Sequence, residues 1–379
     1  MPSSGWTSPF PPLQLSASEK EELIHTTESL VDDMVESYAE MLEPNARAPN
    51  PTLWALLRER EGLRAYRSNR PGAGTPNRNV YLILTVGTIV GNLNDVLYGT
   101  MSYSTECMRI KTAYTNDTLM NGTVLENPVS PTPEQPFRSV SVCWVVKTMP
   151  FLVRAMSKHR DTVFIDASGT RTLSNGRTMG YNLLQSVNFP SFPPLSDYDR
   201  SSISIITLMK QVAPNRVQIV TRSYFLLDNC VLESATLKSM ADALISIWRV
   251  TQCAHKKKLA WLVQNPGAVK LAVSSCGDGS SCCSVCGDSL VTRRELSKAC
   301  AVCSKPTCKQ CRIKHDLLLV KPHGQLVEKQ LRFCVACVGI ASRLDAAFVI
   351  QHEAATRSSR CNVEVPSCTG MDVTRTEEK

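Results

Sequence analysis

Apolar positions three and four residues apart run from Ser16 to Leu42 (Leu23, Leu30, Val31, Met34, Val35, Tyr38, Met41 and Leu42) and predict an amphipathic helix that Pro44 ends. From Trp54 the period shortens. Short β-prone runs alternate with turn residues: LRAYRS, VYLILTVGTI, a helix-like DVLYGTM, then TLMNGTVL. Beyond a Pro-rich loop at 127–136 come five longer strands: RSVSVCWVVK, RDTVFIDASG, GYNLLQSVN, SSISIITLMKQV and RVQIVTRSYFLL. Turns are expected at Ser174-Asn175-Gly176 and Pro214-Asn215. A second long helix is predicted from Glu233 to about Trp261, on the wide stripe of Leu237, Met240, Ala241, Leu244, Ile245, Trp248 and Leu259. Helix, many antiparallel strands, then one long apolar helix make an α+β domain of about 250 residues.

Composition and charge narrow the class without naming it. The 379 residues are 43% hydrophobic and 20% charged, an ordinary globular balance. The most apolar run, at 80–93, is too short to span a bilayer and is broken by Thr and Gly. A formal charge of +8 is modest at this length, so nucleic acid is not an expected partner. The run Lys256-Lys257-Lys258 near the end of the second long helix suits the helix dipole. The start, MPSSGWTSPFPPLQL, has neither the basic segment nor the apolar core of a secretory signal, and cytoplasmic residence is expected.

The strongest chemical signal lies near the C-terminus. Eight of the 16 cysteines form four Cys-x-x-Cys pairs: Cys283/Cys286, Cys300/Cys303, Cys308/Cys311 and Cys334/Cys337. Two intervening residues let both sulfurs reach one tetrahedral metal, so eight thiolates predict two four-cysteine sites holding two Zn²⁺. A disulfide framework needs an oxidising compartment, and a redox dithiol needs one pair beside a βαβ unit in place of four pairs in a strand-poor segment. Cys282 is the one alternative register. From Cys276 to Ile340 ten basic and five acidic residues give +5. Eight thiolates and two divalent ions add −4, so the metallated segment is close to neutral.

The spacing of 13, 4 and 22 residues between pairs resembles a FYVE-type cross-brace finger, and Arg332-Phe333-Cys334 resembles that family's Arg-Val-Cys element. The resemblance implies one zinc on the first and third pairs and another on the second and fourth. A RING or PHD finger is the rival, although both usually carry a middle His. Where the family has its basic phosphoinositide-reading run, this chain has Leu296-Ser297-Lys298-Ala299-Cys300-Ala301. Phosphatidylinositol 3-phosphate selectivity is therefore expected to be weak or absent. Arg293, Arg294, Lys298 and Arg332 stand as candidate phosphate contacts, and Leu290-Val291 as a candidate membrane-dipping tip. A solvated basic loop on a purely structural finger is the competing reading.

The larger domain resembles a START domain, the helix-grip lipid-binding fold. The carriers are VRAMSKHRDTVFIDASGT with Arg160-Asp161 opening a strand, GRTMGYNLLQSVNFP, and DALISIWRVTQCAHKKKLAW. Together with the finger, the domain order resembles that of the START-plus-FYVE proteins of oomycetes. The implied layout is a flexible lead at 1–11, a START-like domain at 12–265, a linker at 266–281, a finger at 282–340, and a short helix packing on the finger plus a disordered tail at 341–379. The resemblance implies a lipid ligand and peripheral, endosomal membrane contact.

Strand parity places Cys143, Val145 and Lys147 on one cavity wall, Phe164 and Asp166 on the next, and Met240 and Leu244 on the capping helix. The resemblance further implies that Lys147 and Asp166 face each other as a polar anchor. A core filled by its own side chains is the alternative, which would make the protein an interaction scaffold. A RING-like ubiquitin ligase is a third reading. No catalytic constellation emerges: Gly287-Asp288-Ser289-Leu290 spells a lipase-like tetrapeptide but lies beside ligand Cys286 and not after a core strand. Cys361 and Cys368 are read as free thiols.

Overall fold

The computed structural model describes residues 6, 8–38, 49–69, 80–148, 158–173, 176–226, 233–267, 282–290, 298–321 and 324–361, with side chains to 357. The expected turn at 174–175 lies outside them.

An α+β architecture is found. Helix α1 (Ala17–Tyr38) begins at a reciprocal cap, where Ser16 Oγ accepts from the Glu19 amide and Glu19 accepts from Ser16 N–H. Its stripe of Val31 and Met34 buries against the sheet. The strands are β1 (Trp54–Arg60), β2 (Leu63–Ser68), β3 (Val80–Val90), β4 (Leu119–Val129), β5 (Ser139–Lys147), β6 (His159–Thr172), β7 (Thr178–Ser186), β8 (Tyr198–Arg200), β9 (Ser202–Ala213) and β10 (Arg216–Leu226). They form one 10-stranded sheet in the order β1-β2-β3-β10-β9-β7-β6-β5-β4, with β8 pairing parallel to β6.

Both faces of this sheet are covered, which is why its central strands read as nearly continuous apolar runs. Leu84, Ile165, Leu183, Ile206 and Val220 face α1. Val142, Trp144 and Val146 on the same outer face are covered by Phe10, Leu13 and Phe192. The Asp161 carboxylate, wholly buried there, accepts from Arg200 at 2.9 Å through both Nε and Nη2 and from Trp144 Nε1 at 3.1 Å. The strand-opening Arg160-Asp161 motif thus divides its labour. Asp161 staples β8 to the sheet, while Arg160 turns to the inner face.

The inner face is gripped by helices. The helix expected from Glu233 onward is broken into α4 (Glu233–Ile245), a 3₁₀ turn at Ser246–Arg249, and α5 (Val250–Gln264). Two short helices precede β4: α2 (Leu93–Thr100) and α3 (Thr105–Thr115). At Gly99 the α2 backbone runs so close to the Val250 carbonyl that no Cβ would fit.

The Lys256-Lys257-Lys258 run, expected to suit the helix dipole, is buried at two of its three positions. Lys258, with no exposed side-chain surface, donates to Asp95 Oδ1 at 2.8 Å and to the Leu344 carbonyl at 3.0 Å. Lys257 donates to the Tyr98 carbonyl at 2.7 Å. These residues lie on the face of α5 turned toward α2, so their burial follows from helix phase and each ammonium has an oxygen partner.

The cysteine-rich segment also departs from the strand-poor expectation, since β11 (Arg312–Val320) and β12 (Leu326–Cys334) make a long hairpin. Helices α6 (Val335–Arg343) and α7 (Ala346–Cys361) follow. Helix α7, expected beside the finger, packs on α2 and α5 and also shares an apolar cluster with finger residues. Glu353 accepts from Tyr98 Oη at 3.2 Å and Tyr103 Oη at 3.0 Å, and Trp261 meets Phe348 and His352 edge-on. Leu317, Phe333, Cys334, Val349 and Ile350 share one apolar cluster with Leu97, Tyr98 and Trp261. The hairpin, the tail and the sheet domain are therefore welded through a common core. No single helix among the described residues is long and apolar enough to cross a membrane.

Candidate functional site

Between the inner sheet face and α3, α4 and the 3₁₀ turn lies a chamber of about 270 Å³. Its volume sits at the lower edge of small-molecule sites, about 300–1,000 Å³, and suits one compact molecule. Most of its wall is apolar: Val145, Phe164, Leu184, Ile203, Ile205 and Phe225 from strands, Met240 and Leu244 from α4. Of the residues singled out from sequence, Val145, Lys147, Phe164, Asp166, Met240 and Leu244 line it. Cys143 does not. It is fully buried opposite Phe164, behind the wall beside Met108 and Val145, and burial pushes its thiol well above the usual range.

The expected Lys147–Asp166 pair is not formed. Antiparallel register sets Lys147 opposite Arg160 and Asp166 opposite Ser141. Six residues therefore separate the two groups along the strands, roughly 20 Å at about 3.4 Å per residue. Parity was right and register was not. Lys147 pairs instead with Asp117 at 3.5 Å, and its side chain is 45% exposed. Burial pushes the Asp117 carboxyl up, but the Lys147 and Lys111 charges outweigh it and leave the group below the usual carboxylate range.

The partner of Asp166 comes from α3, a helix not among the elements predicted from periodicity. Lys111 Nζ lies 3.7 Å from Asp166 Oδ2 and donates to the Thr100 carbonyl at 3.1 Å. Asp166 Oδ1 accepts from Asn182 Nδ2 at 2.9 Å. Local signals for α3 exist: Ser104 Oγ caps the Cys107 amide, and Asn116 ends the helix in left-handed geometry at φ 56°. On a helix so fixed, Met108, Lys111 and Thr115 repeat at three- and four-residue spacing and turn together into the chamber. An ammonium with three donors beside a carboxylate gives one region of the wall both a donor and an acceptor for a ligand polar group.

The hydroxyls of the strand wall close on each other, Thr162 with Ser201 at 2.7 Å and Thr207 with Thr221 at 3.0 Å.

The four Cys-x-x-Cys pairs assemble as two groups, Cys283/Cys286/Cys308/Cys311 and Cys300/Cys303/Cys334/Cys337, with the sulfurs of each group within 4.8 Å of one another. Each could hold one metal ion. Backbone amides aim at the sulfurs: Cys308 N to Cys283 Sγ at 3.3 Å, Cys311 N to Cys308 Sγ at 3.4 Å, Cys337 N to Cys334 Sγ at 3.3 Å. Burial raises the Cys283 thiol, yet amide hydrogen bonds from Cys286, Cys308 and Val285 bring it to about 6. Hydrogen bonds from Cys303, Cys334 and Cys337 hold Cys300 far below the usual thiol range. Cys282 stands outside both groups, and its backbone pairs with that of Ser289 in an isolated antiparallel bridge.

Of the candidate membrane contacts, Leu290 is 3% exposed and is packed inward, so it cannot serve as an insertion tip. Val291, Arg293 and Arg294 lie outside the described residues. Lys298 is half-buried and Arg332 exposed.

No protein-family model matches the sequence, and no curated protein matches it. Among solved structures the chain is similar to human StAR-related lipid transfer protein 5, at 15% identity and a TM-score of 0.44 over 62% of this chain and 99% of that one. It is also similar to human STARD10, at 13% identity and 0.41 over 67% and 87%. A third is the STAR-related lipid transfer protein of Xanthomonas axonopodis, at 12% identity and 0.37 over 52% and 96%.

Proposed function

We propose that this protein binds one lipid or other compact apolar molecule in the chamber, and that its cysteine-rich segment is a two-zinc finger serving as a fixed docking element. The chamber is the observation that carries the reading: about 270 Å³ walled by apolar side chains, with Lys111, Asp166 and Asn182 grouped on one side. A core filled by its own side chains would leave no such space and would bury no charged pair beside it. The START-like motifs of the sequence point the same way. A ligand hydroxyl can accept from Lys111 and donate to Asp166, a role first expected of Lys147. All-sulfur tetrahedral groups select Zn²⁺ or an iron–sulfur cluster, and cross-braced Cys-x-x-Cys pairs favour zinc. Closed thiolate shells leave no open coordination position, so the metal is read as structural, and a non-enzymatic binder is part of this proposal.

Residence in the cytoplasm with peripheral contact at endosomal membranes belongs to this proposal, as does weak or absent selectivity for phosphatidylinositol 3-phosphate. Native mass spectrometry of the full chain tests the chamber: retained apolar mass is expected in wild type and lost in Met240→Trp, whose indole would occupy the space. A folded Met240→Trp that retains the same ligand refutes the assignment. Metal analysis should return two zinc per chain.

A further inference from the structure

We propose that Cys286 is a thiol-oxidation site: a peroxide arriving from solvent joins it to Cys308 as a disulfide and releases the zinc of the first four-cysteine group, while the second group keeps its own. This rests on the two-zinc reading above and separates the two sites by what they respond to.

The two groups share a donor set and differ in surroundings. Cys300, Cys334 and Cys337 of the second group are each no more than 2% exposed and belong to the apolar cluster that joins the hairpin to the sheet domain. Cys303 is half-buried and packs against that cluster. In the first group only Cys283 is buried, Cys308 and Cys311 are half-buried, and Cys286 is exposed. None of these four belongs to the cluster, whose rim is touched by neighbouring Val285. A metal-bound cysteine is a thiolate in either group, so thiolate character does not separate the eight residues and access does. Oxidation follows the accessible thiolate, and access singles out Cys286.

A resolving partner is in place. Cys286 Sγ and Cys308 Sγ lie 3.8 Å apart at the surface. Neither residue is in a helix or strand, so no regular element opposes closing to the bonded separation of about 2.0 Å. The Cys286 thiolate attacks one peroxide oxygen, the O–O bond breaks, and the hydroxide released takes a solvent proton to become water. The Cys308 thiolate then attacks the sulfur of the resulting sulfenic acid, forming the S–S bond and expelling the second oxygen as hydroxide, which also becomes water. Two electrons pass from the two sulfurs to one peroxide, and the metal loses two of its four ligands. The effect is local, because the second group holds the end of β12 and the start of α6, where Cys334 Sγ accepts from the Cys337 amide.

The test treats the full-length chain, its two zinc per chain verified by metal analysis, with hydrogen peroxide. Released zinc is read with 4-(2-pyridylazo)resorcinol against a peroxide-free baseline, and disulfides are mapped by differential alkylation and mass spectrometry. One zinc per chain should leave at least about tenfold faster than the other, with Cys286–Cys308 as the first disulfide. Cys286→His keeps a four-ligand shell without the exposed thiolate and should slow the fast release to within about threefold of the slow one. A single release phase, a first disulfide that leaves out either Cys286 or Cys308, or a fast phase that persists in Cys286→His overturns the inference. If Cys286→His binds only one zinc, the wild-type phases and disulfide map decide on the same terms. If the untreated chain holds fewer than two zinc, the two-zinc reading itself fails and this inference falls with it.

Discussion

Replacing Lys111 by Met keeps the aliphatic stem and removes one charge, which isolates the electrostatic part of the chamber's anchor. At 3.7 Å and an effective dielectric of about 20, the attraction to Asp166 is about 4–5 kcal/mol before desolvation is subtracted. Removing one member of a buried pair typically costs about 3–5 kcal/mol. Here Asp166 is 4% exposed but Lys111 is 17% exposed, and the separation exceeds hydrogen-bond length, so about 2–3 kcal/mol is expected for Lys111→Met. Asp166→Asn keeps a neutral acceptor for Asn182, and the double variant should recover at least about 1.5 kcal/mol of the summed losses, because no uncompensated charge remains. Lys147→Met is the control. Its partnership with Asp117, half-exposed on the lysine side, should cost about 1 kcal/mol or less. Urea denaturation of the four variants reads all of this. Additivity of Lys111→Met and Asp166→Asn to within about 0.5 kcal/mol would refute the anchor, as would a Lys147 effect larger than that of Lys111.

Three further outcomes are expected. Burial, with the Lys258 charge and His315 nearby, pushes the His255 imidazole down to about 4, so the folded chain holds this proton less tightly than the unfolded chain. The stability it contributes is fully present above about pH 6.5 and is lost as pH falls toward 4. Allowing for its partial exposure this is about 1–2 kcal/mol, and His255→Gln should flatten the urea-midpoint slope across that window. Lys258→Met deletes three hydrogen bonds from a side chain with no exposed surface and should destabilise by about 3 kcal/mol, and a loss below about 1 kcal/mol would refute its role as a buried, paired cation. Ending the chain at Ile340 removes α7 with the Glu353 acceptor and should lower Tm on the order of 10 °C, whereas an unchanged Tm would mean that α7 contributes nothing to the shared core.

Much of the fold was legible because periodicity reports burial directly. The strands from Ser139 to Leu226 are buried on both faces and read as apolar runs, and the α1 stripe matches the residues it buries. The cysteine spacing was legible because two-residue loops to a tetrahedral centre are a local constraint. Register was not, since parity fixes a face while the rung depends on loops and bulges. Lys147 and Asp166 share a wall and stand six residues apart. Helix α3 escaped for another reason: TECMRIKTAYT has a weak apolar period, and its inward face carries Lys111 and Thr115, which read as solvent-facing. Its caps were the available signal. Lys257 and Lys258 misled similarly, because a buried lysine with a carbonyl or carboxylate partner has the same sequence signature as an exposed one.

The weld between hairpin and sheet domain bears on what the finger can dock. One face of the β11–β12 ribbon is committed: Leu317 and Phe333 are fully buried, His315 meets His255 at 6.0 Å, and the Leu318 amide donates to Tyr114 Oη at 2.6 Å. The outward rungs then present Lys314 opposite Arg332, Asp316 opposite Gln330, and Leu318 opposite Glu328. Only the first rung is basic. Two cations at an anionic bilayer contribute about 2 kcal/mol, and the acidic rungs beside them subtract from that. With Leu290 packed inward, no apolar anchor at that position adds to it, and stable membrane residence generally needs two such signals. In the docking role proposed above, such a surface would suit a protein partner, or a membrane contact too weak to select one phosphoinositide, better than headgroup-specific recruitment.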